Sequence, residues 1–426
     1  MKKTYFLFFL LNMCLLFSQT TDDDIFRHLK EKLGNIDDDI LRYLAEEVGN
    51  IDDDDIIYVE EIERNSSCFV IKDDAELFEK EMLAIIEDKE RAKDFSTGLE
   101  AVKVHSEDAL YSVSGVLPCP IKMQIIEKLN SFVSAQDYKV NLDLQAATMG
   151  LGDIKTVIEN SKSVDELDDV YMSAGFELFF DKKLMGRYME DGSFSDITGV
   201  EHINEVFEND YIDLRDPKKR YTIIGVVPAI FMVNKEVLGD REYPRSWEDL
   251  LKPEFENSVS LPVRDLDLFN AIMLGMNSMY GREGVEKLGK ALLSSMHPAQ
   301  MVKNTNKSGG VAVTIMPYFF TWMAKEGGPL ELVWPKEGAI ISPIFLLTKT
   351  KSKDKIKPLV DFIFSSEMGE VLAGEGKFPT TVKGIDNKIS KDQKFVWAGW
   401  DYLHNNDIGE ELKELEKIFF AAQGGQ

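Results

Sequence analysis

"YTIIGVVPAIFMVN", residues 221–234, is a run of β-branched and bulky apolar residues with one proline inside it, and it reads as a strand. Six further strand candidates flank it: "ALYSVSG" (109–115), "KVNLDLQ" (139–145), "DVYMSAG" (169–175), "SVSLPV" (258–263), "VAVTIMP" (311–317) and "GAIISPIFLLTK" (338–349). Helical patterns separate most of them, and prolines and glycines mark the joints. Short apolar runs alternating with longer helical ones are the rhythm of an α/β domain, expected here from about residue 107.

A chain of 426 residues with 44% apolar content can bury a large core and favours two or three domains. Its net charge of −26, from 75 acidic against 49 basic residues, argues against a nucleic-acid partner, because such a surface repels phosphates. Cys14, Cys68 and Cys119 are too far apart for a CxxC pattern, and the five histidines lie singly, so neither a disulfide framework nor a structural zinc site is expected.

Lys2 and Lys3 precede the apolar run Tyr5–Phe17, which ends at Ser18-Gln19. The run is shorter than the roughly 20 residues needed to span a bilayer, so residues 1–19 read as an export leader. Two copies of one unit follow: "DDDIFRHLKEKLGNI" (22–36) and "DDDILRYLAEEVGNI" (37–51) are identical at ten of fifteen positions. Each pairs an Asp cap with apolar residues at helical spacing and a Gly-Asn stop, so 20–60 reads as acidic tandem helical repeats. The Asp clusters do not follow the ligand order of an EF-hand loop, and helix capping with a solvated acidic face accounts for them. Residues 61–106 read as a helical connecting segment.

No GxSxG nucleophile motif occurs, and "GVEKLGKA" (284–291) ends in Ala where a phosphate-binding loop needs Ser or Thr. What recurs is a small or polar residue at the expected carboxyl ends of strands: Ser114-Gly115, Ser173-Ala174-Gly175 and Arg264-Asp265. In open α/β sheets that edge is where ligands bind. Each of these is also compatible with an ordinary strand-to-helix turn. Arg264 suits an anion or a carboxylate-bearing chelate, while Asp265 either orients it or turns away. The polar loop Asn304–Ser308 before Gly309-Gly310 is a further place for anion contacts or simply a solvated loop.

Residues 221–262, with the strand ending in "VNKE" followed by "PRSWEDLL" and "PEF", resemble the central segment of periplasmic binding proteins of type II topology, in the iron-transport-type branch of the substrate-binding proteins of ABC importers. "VWPKEGAIISPIFLLTKTKSK" and the helix after it resemble that family's return crossing. The resemblance covers about 107–400 and implies a two-lobed α/β fold, with lobe one at 107–231 plus 339–400, lobe two at 232–338, and 401–426 as a C-terminal helix and tail of unassigned position. It implies a binding protein without catalysis that takes a small, anionic or metal-chelate ligand between its lobes, works on the outer face of the membrane and hands the ligand to an ABC permease. No resident cofactor is implied, and iron or an iron chelate is one possible cargo. Ferric-binding members place two adjacent tyrosines after a lobe-two strand; here Tyr318 occupies the first place and Phe319 the second, so Tyr318 is read either as a cleft residue or as packing. Two rival functions stand beside transport. One is an enzyme on the same fold with Cys119 as its nucleophile, and the other is a ligand-sensing scaffold whose acidic repeats dock a partner.

Overall fold

Pro228 would be out of place in the middle of a central strand, because it lacks the N–H that a ladder needs on both sides. In the computed structural model the strand around it, Thr222–Asn234, is central only in part. Its first stretch pairs through Thr222–Ala229 with one partner, and on its other side a bridge from Gly225 to Thr380 and a strand from Ala229 onward leave Pro228 in the gap between them. The structure describes residues 102–423 except 119–120, 147–150, 264–265, 296–310, 324–327 and 376–377. All of them belong to one unit, Val102–Gln426. The expected leader, the acidic repeats, the connecting segment up to Ala101 and Cys119 lie outside the described residues, and the helical expectation for the end of that segment is corrected: Val102–Val104 form a strand paired with Leu142–Leu144.

In chain order the elements are β1 (Val102–Val104), β2 (Tyr111–Leu117), α1 (Lys122–Ser134), β3 (Val140–Ala146), α2 (Gly152–Asn160), β4 (Val170–Ser173), α3 (Phe176–Phe180) and α4 (Gly186–Glu190). Then come β5 (Thr222–Asn234), α5 (Lys235–Leu238), β6 (Val259–Leu261), α6 (Leu266–Ala291), β7 (Leu292–Ser295), β8 (Val313–Pro317) and β9 (Leu330–Val333). The chain returns through β10 (Ala339–Thr348) and ends with α7 (Lys353–Ile363), α8 (Ser366–Glu370), β11 (Phe395–Val396), α9 (Trp400–Asn405) and α10 (Ile408–Gln423). Gly281, at φ +66, breaks α6 into stretches 266–280 and 282–291. The "GVEKLGKA" run thus lies inside a helix, as its pattern indicated.

The strands join into one sheet made of two equivalent halves. The first has the order β3-β2-β4-β10-β5, and the second has β7-β6-β8-β5-β9. In each half three parallel strands are followed by one antiparallel strand that arrives from the other half, and by a fifth beyond it. This is the two-lobed type II arrangement that the sequence resembles. Both crossing strands are apolar and almost wholly buried, as strands covered on both faces must be.

Two cores hold the layers. One packs Ile125 and Leu129 of α1 and Leu359 and Ile363 of α7 against Leu142, Met172 and Ile344 on the first half of the sheet. The other runs from Phe176 and Phe345 to Trp247, Ile272 and Phe419. The C-terminal helix, which the sequence left unplaced, lies along α6: Phe419 meets Phe269 edge-on at 5.3 Å, and Glu411 and Glu414 pair with Arg282. Its first turn sits against the first half, where a Cβ on Gly409 would collide with the Asp181 carboxylate. Gly409→Ala is therefore expected to lower unfolding free energy by about 1–3 kcal/mol, whereas Phe420→Ala, at a ring 42% exposed, changes it by about 0.5 kcal/mol or less; denaturant melts check both.

His404 of α9 is tied to the segment before β5, its Nε2 lying 2.6 Å from Asp216 Oδ1. Burial alone would raise the Asp216 carboxyl, but His404 and the backbone N–H groups of Lys218, Arg220 and Tyr221 outweigh it and hold the group below its ordinary value. A depressed carboxyl contributes stability that is complete above its unfolded value of 3.8 and is lost as pH falls through the lower folded value. Denaturant melts are expected to show a loss of stability below about pH 4, and Asp216→Asn to flatten that part of the profile while lowering stability at pH 7.

Candidate functional site

Strand directions fix where a site can form. β10 runs antiparallel to β4 and to β5, so β5 runs in the same sense as β2, β3 and β4 and carries the chain from their carboxyl ends into the second half. β8 is antiparallel to β5, and β6 and β7 are parallel to β8, so their carboxyl ends point back toward the first half. The carboxyl edges of both halves thus face each other across β5 and β10. A crevice at that edge is where open α/β sheets take ligands.

Ser173 ends β4 at this edge, fully buried, with no hydrogen-bond partner for its Oγ. Ala174 is half-buried, and Gly175 has φ +147, a backbone conformation that side chains resist, with Leu151 and Phe179 packed beside it. The expectation that β2 ends at Ser114-Gly115 is corrected: the apolar residues Val116 and Leu117 continue the strand, leaving both residues in its middle. Ser114 Oγ donates to Asp168 Oδ2 at 2.6 Å, ahead of β4, and Gly115 lets the strand approach the Met172 carbonyl more closely than any Cβ would allow. Arg264, Asp265 and the Asn304–Gly310 loop lie outside the described residues.

Tyr318 follows the last residue of β8 and is half-buried, edge-on to Trp334 at 5.4 Å and 77°. Trp334 in turn meets Phe395 at 5.5 Å. Burial pushes the Tyr318 phenol above its ordinary value, which keeps it neutral. Phe319 turns to the other side, 4.2 Å from the Phe320 ring and 5.0 Å from Phe378, and packs against the core of the first half. Among the described residues no group of three His, Cys, Asp or Glu is placed to hold a metal ion.

Sequence reading missed two residues near the crossing. Ser342, in the middle of β10 opposite Val227, is 1% exposed and its Oγ is unpartnered; Asn270 in α6 is fully buried with both amide atoms unpartnered. Each is a single polar residue in an otherwise apolar run, "AIISPIFLL" and "LFNAIMLGM", and that isolation is the signal which could have found them. An orphaned buried hydroxyl costs stability, so Ser173→Ala is expected to leave the ligand-free protein as stable or about 0.5–1 kcal/mol more stable, as read from denaturant melts.

The family model described as bacterial extracellular solute-binding protein matches residues 165–406. The spermidine/putrescine-binding periplasmic protein of Salmonella typhimurium is 28% identical over 238 residues, which cover 50% of this chain and 66% of that relative. The chain therefore matches just under two thirds of the relative's length. Among solved structures, the ferric binding protein from Campylobacter jejuni superposes with a TM-score of 0.52 at 16% identity, covering 73% of this chain and 99% of that one. The periplasmic binding protein AfuA from Actinobacillus pleuropneumoniae, with exogenous fructose-6-phosphate bound, gives 0.52 at 16%, covering 75% and 100%. At these identities the likeness to the solved structures is one of fold.

Proposed function

The chain belongs to the bacterial extracellular solute-binding protein family, and from that premise we propose that it captures a small solute between the two halves of its sheet and delivers it to an ABC-type permease. The observation that carries this reading is the opposition of the two carboxyl edges across β5 and β10. Two extended strands are the only sheet connections between the halves among the described residues, so rotation about them can open and close the crevice while each half stays rigid. In this reading lobe one is 107–231 plus 339–400 and lobe two is 232–338. The helix at 408–423 follows the closing motion because it touches both halves. Ser173, Ala174, Gly175 and Tyr318 line the crevice, with Arg264 and Asp265 following β6 in sequence.

The family's members are named for binding, and no catalytic step is assigned to this chain. Its work is placed on the outer side of the membrane, in line with the extracellular and periplasmic names of its relatives; no described helix is long and apolar enough to cross a membrane. The relatives' ligands differ among themselves: polyamines for one, and ferric ion and a sugar phosphate for the fold neighbours. A ferric ion held by a tyrosine pair fits this chain poorly, since Phe319 has no oxygen to offer and the neighbouring Tyr318 phenol is kept neutral.

Purified protein is to be melted with ferric citrate, spermidine, fructose 6-phosphate and thiamine, and its radius of gyration measured by X-ray scattering. One class is expected to stabilise by about 2.7 kcal/mol at 100 times its dissociation constant and to shrink the radius. Ferric citrate is expected to produce no visible phenolate-to-iron absorption band. A panel that leaves both melting and radius unchanged sinks the transport reading.

A further inference from the structure

Among the described residues, the strand ends that face the crevice are uncharged, and those of the second half lead into aromatic rings. The last residues of the six parallel strands are Leu117, Ala146, Ser173, Leu261, Ser295 and Pro317, and none carries a charge. The described residues that follow directly, from Pro118 and Ala174 to Val263 and Tyr318, carry none either. At one point the lining reaches across the crossing. Phe319 extends from the second half, and its ring lies 5.0 Å from Phe378, which is fully buried in the core of the first half. Phe378 is held rigidly, because its N–H donates to the Leu372 carbonyl and the next residue, Pro379, accepts from Val226 of β5. Phe319 and Phe320 remain half-exposed, so each keeps one part of its ring available beside the hinge.

A phenyl ring offers a hydrated ion no charged partner in return for the water it must shed. An apolar group gains from every part of its area removed from water. Resting on the binding-protein reading above, we infer that the solute is an organic molecule with an apolar face that lies against Phe319 and Phe320 at the floor of the crevice, and that Phe319 is the residue that selects for it. The contact with Phe378 gives this floor a second role. Closure that presses the two halves together buries the solute's apolar face between groups that already touch, so recognition and closure draw on the same apolar area.

The probe is anilinonaphthalene sulfonate, an organic anion with apolar rings whose fluorescence rises when it leaves water, titrated into the full chain alongside ferric citrate and spermidine. Saturable one-to-one binding is expected. Phe319→Asp is expected to weaken it about tenfold or more, and Phe319→Leu, which keeps the apolar character, by about threefold or less. Phe420→Asp, which alters an exposed ring on the C-terminal helix, controls for dye on unrelated apolar surface and is expected to change nothing. Circular dichroism and melting confirm that each variant folds, and Phe319→Leu keeps the comparison usable if the Asp variant does not. Dye binding that is absent, or indifferent to Phe319→Asp in a folded variant, overturns the inference. So does tight binding of ferric citrate or spermidine that survives that substitution. Saturable, closure-inducing binding insensitive to Phe319 would leave the binding-protein reading standing and remove only the apolar-face assignment, whereas no saturable binding by any compound removes both.

Discussion

The antiparallel pairing of β5 with β10 is the constraint on which the rest of this architecture depends. Each strand is central in one half and continues into the other, so every hydrogen bond between them belongs to both halves at once. The pairing sets the relative direction of the two sets of parallel strands, and direction alone decides that their carboxyl ends meet. Both strands are covered on both faces, which is why they tolerate so few polar residues. The proline that seemed foreign to a central strand sits in the gap on one side of β5, between the bridge at Gly225 and the strand that joins from Ala229.

Around that crossing the packing is uneven, and the unevenness bears on motion. The first half has its own core between the sheet and α1 and α7, against which Phe319 of the second half packs. The other core continues from Phe345 near the crossing to α6 and the C-terminal helix. That helix begins against Asp181 of the first half and runs along α6 of the second, and its first turn is linked to both, by Lys183 with Glu410 at 2.8 Å and by Arg282 with Glu411. Exposed ion pairs contribute little, so it is the buried rings of Phe419 and Phe269 that hold the helix in place. A hinge of two strands with a helix laid alongside has fewer ways to move than two strands alone.

Much of this was legible in the sequence, for a physical reason. Strands buried on both faces are long apolar runs, and β5 and β10 announce themselves in that way. β1, β7, β9 and β11 were missed because three, four, four and two residues are too few to show a period of two. The end of β2 was set too early because glycine in "SVSGVL" looks like a turn, whereas here it serves a close approach to the Met172 carbonyl. The tail helix showed its own amphipathic pattern but not its partner, since periodicity states which face is buried and never against what.

The site was legible only as a location. Small residues at strand ends mark an edge, yet they do not state what the edge prefers to touch, and that preference emerges from contacts between residues distant in sequence. Tyr318 and Phe319 are neighbours in the chain but face different surroundings: Tyr318 packs against Trp334 on its own half, and Phe319 reaches the core of the other. The ring at position 319 packs against Phe320 and Phe378, and covering part of it there favours an apolar side chain over a phenol. The phenyl ring is thus favoured by the crossing itself, and the chemistry of the crevice follows from the way the two halves are joined.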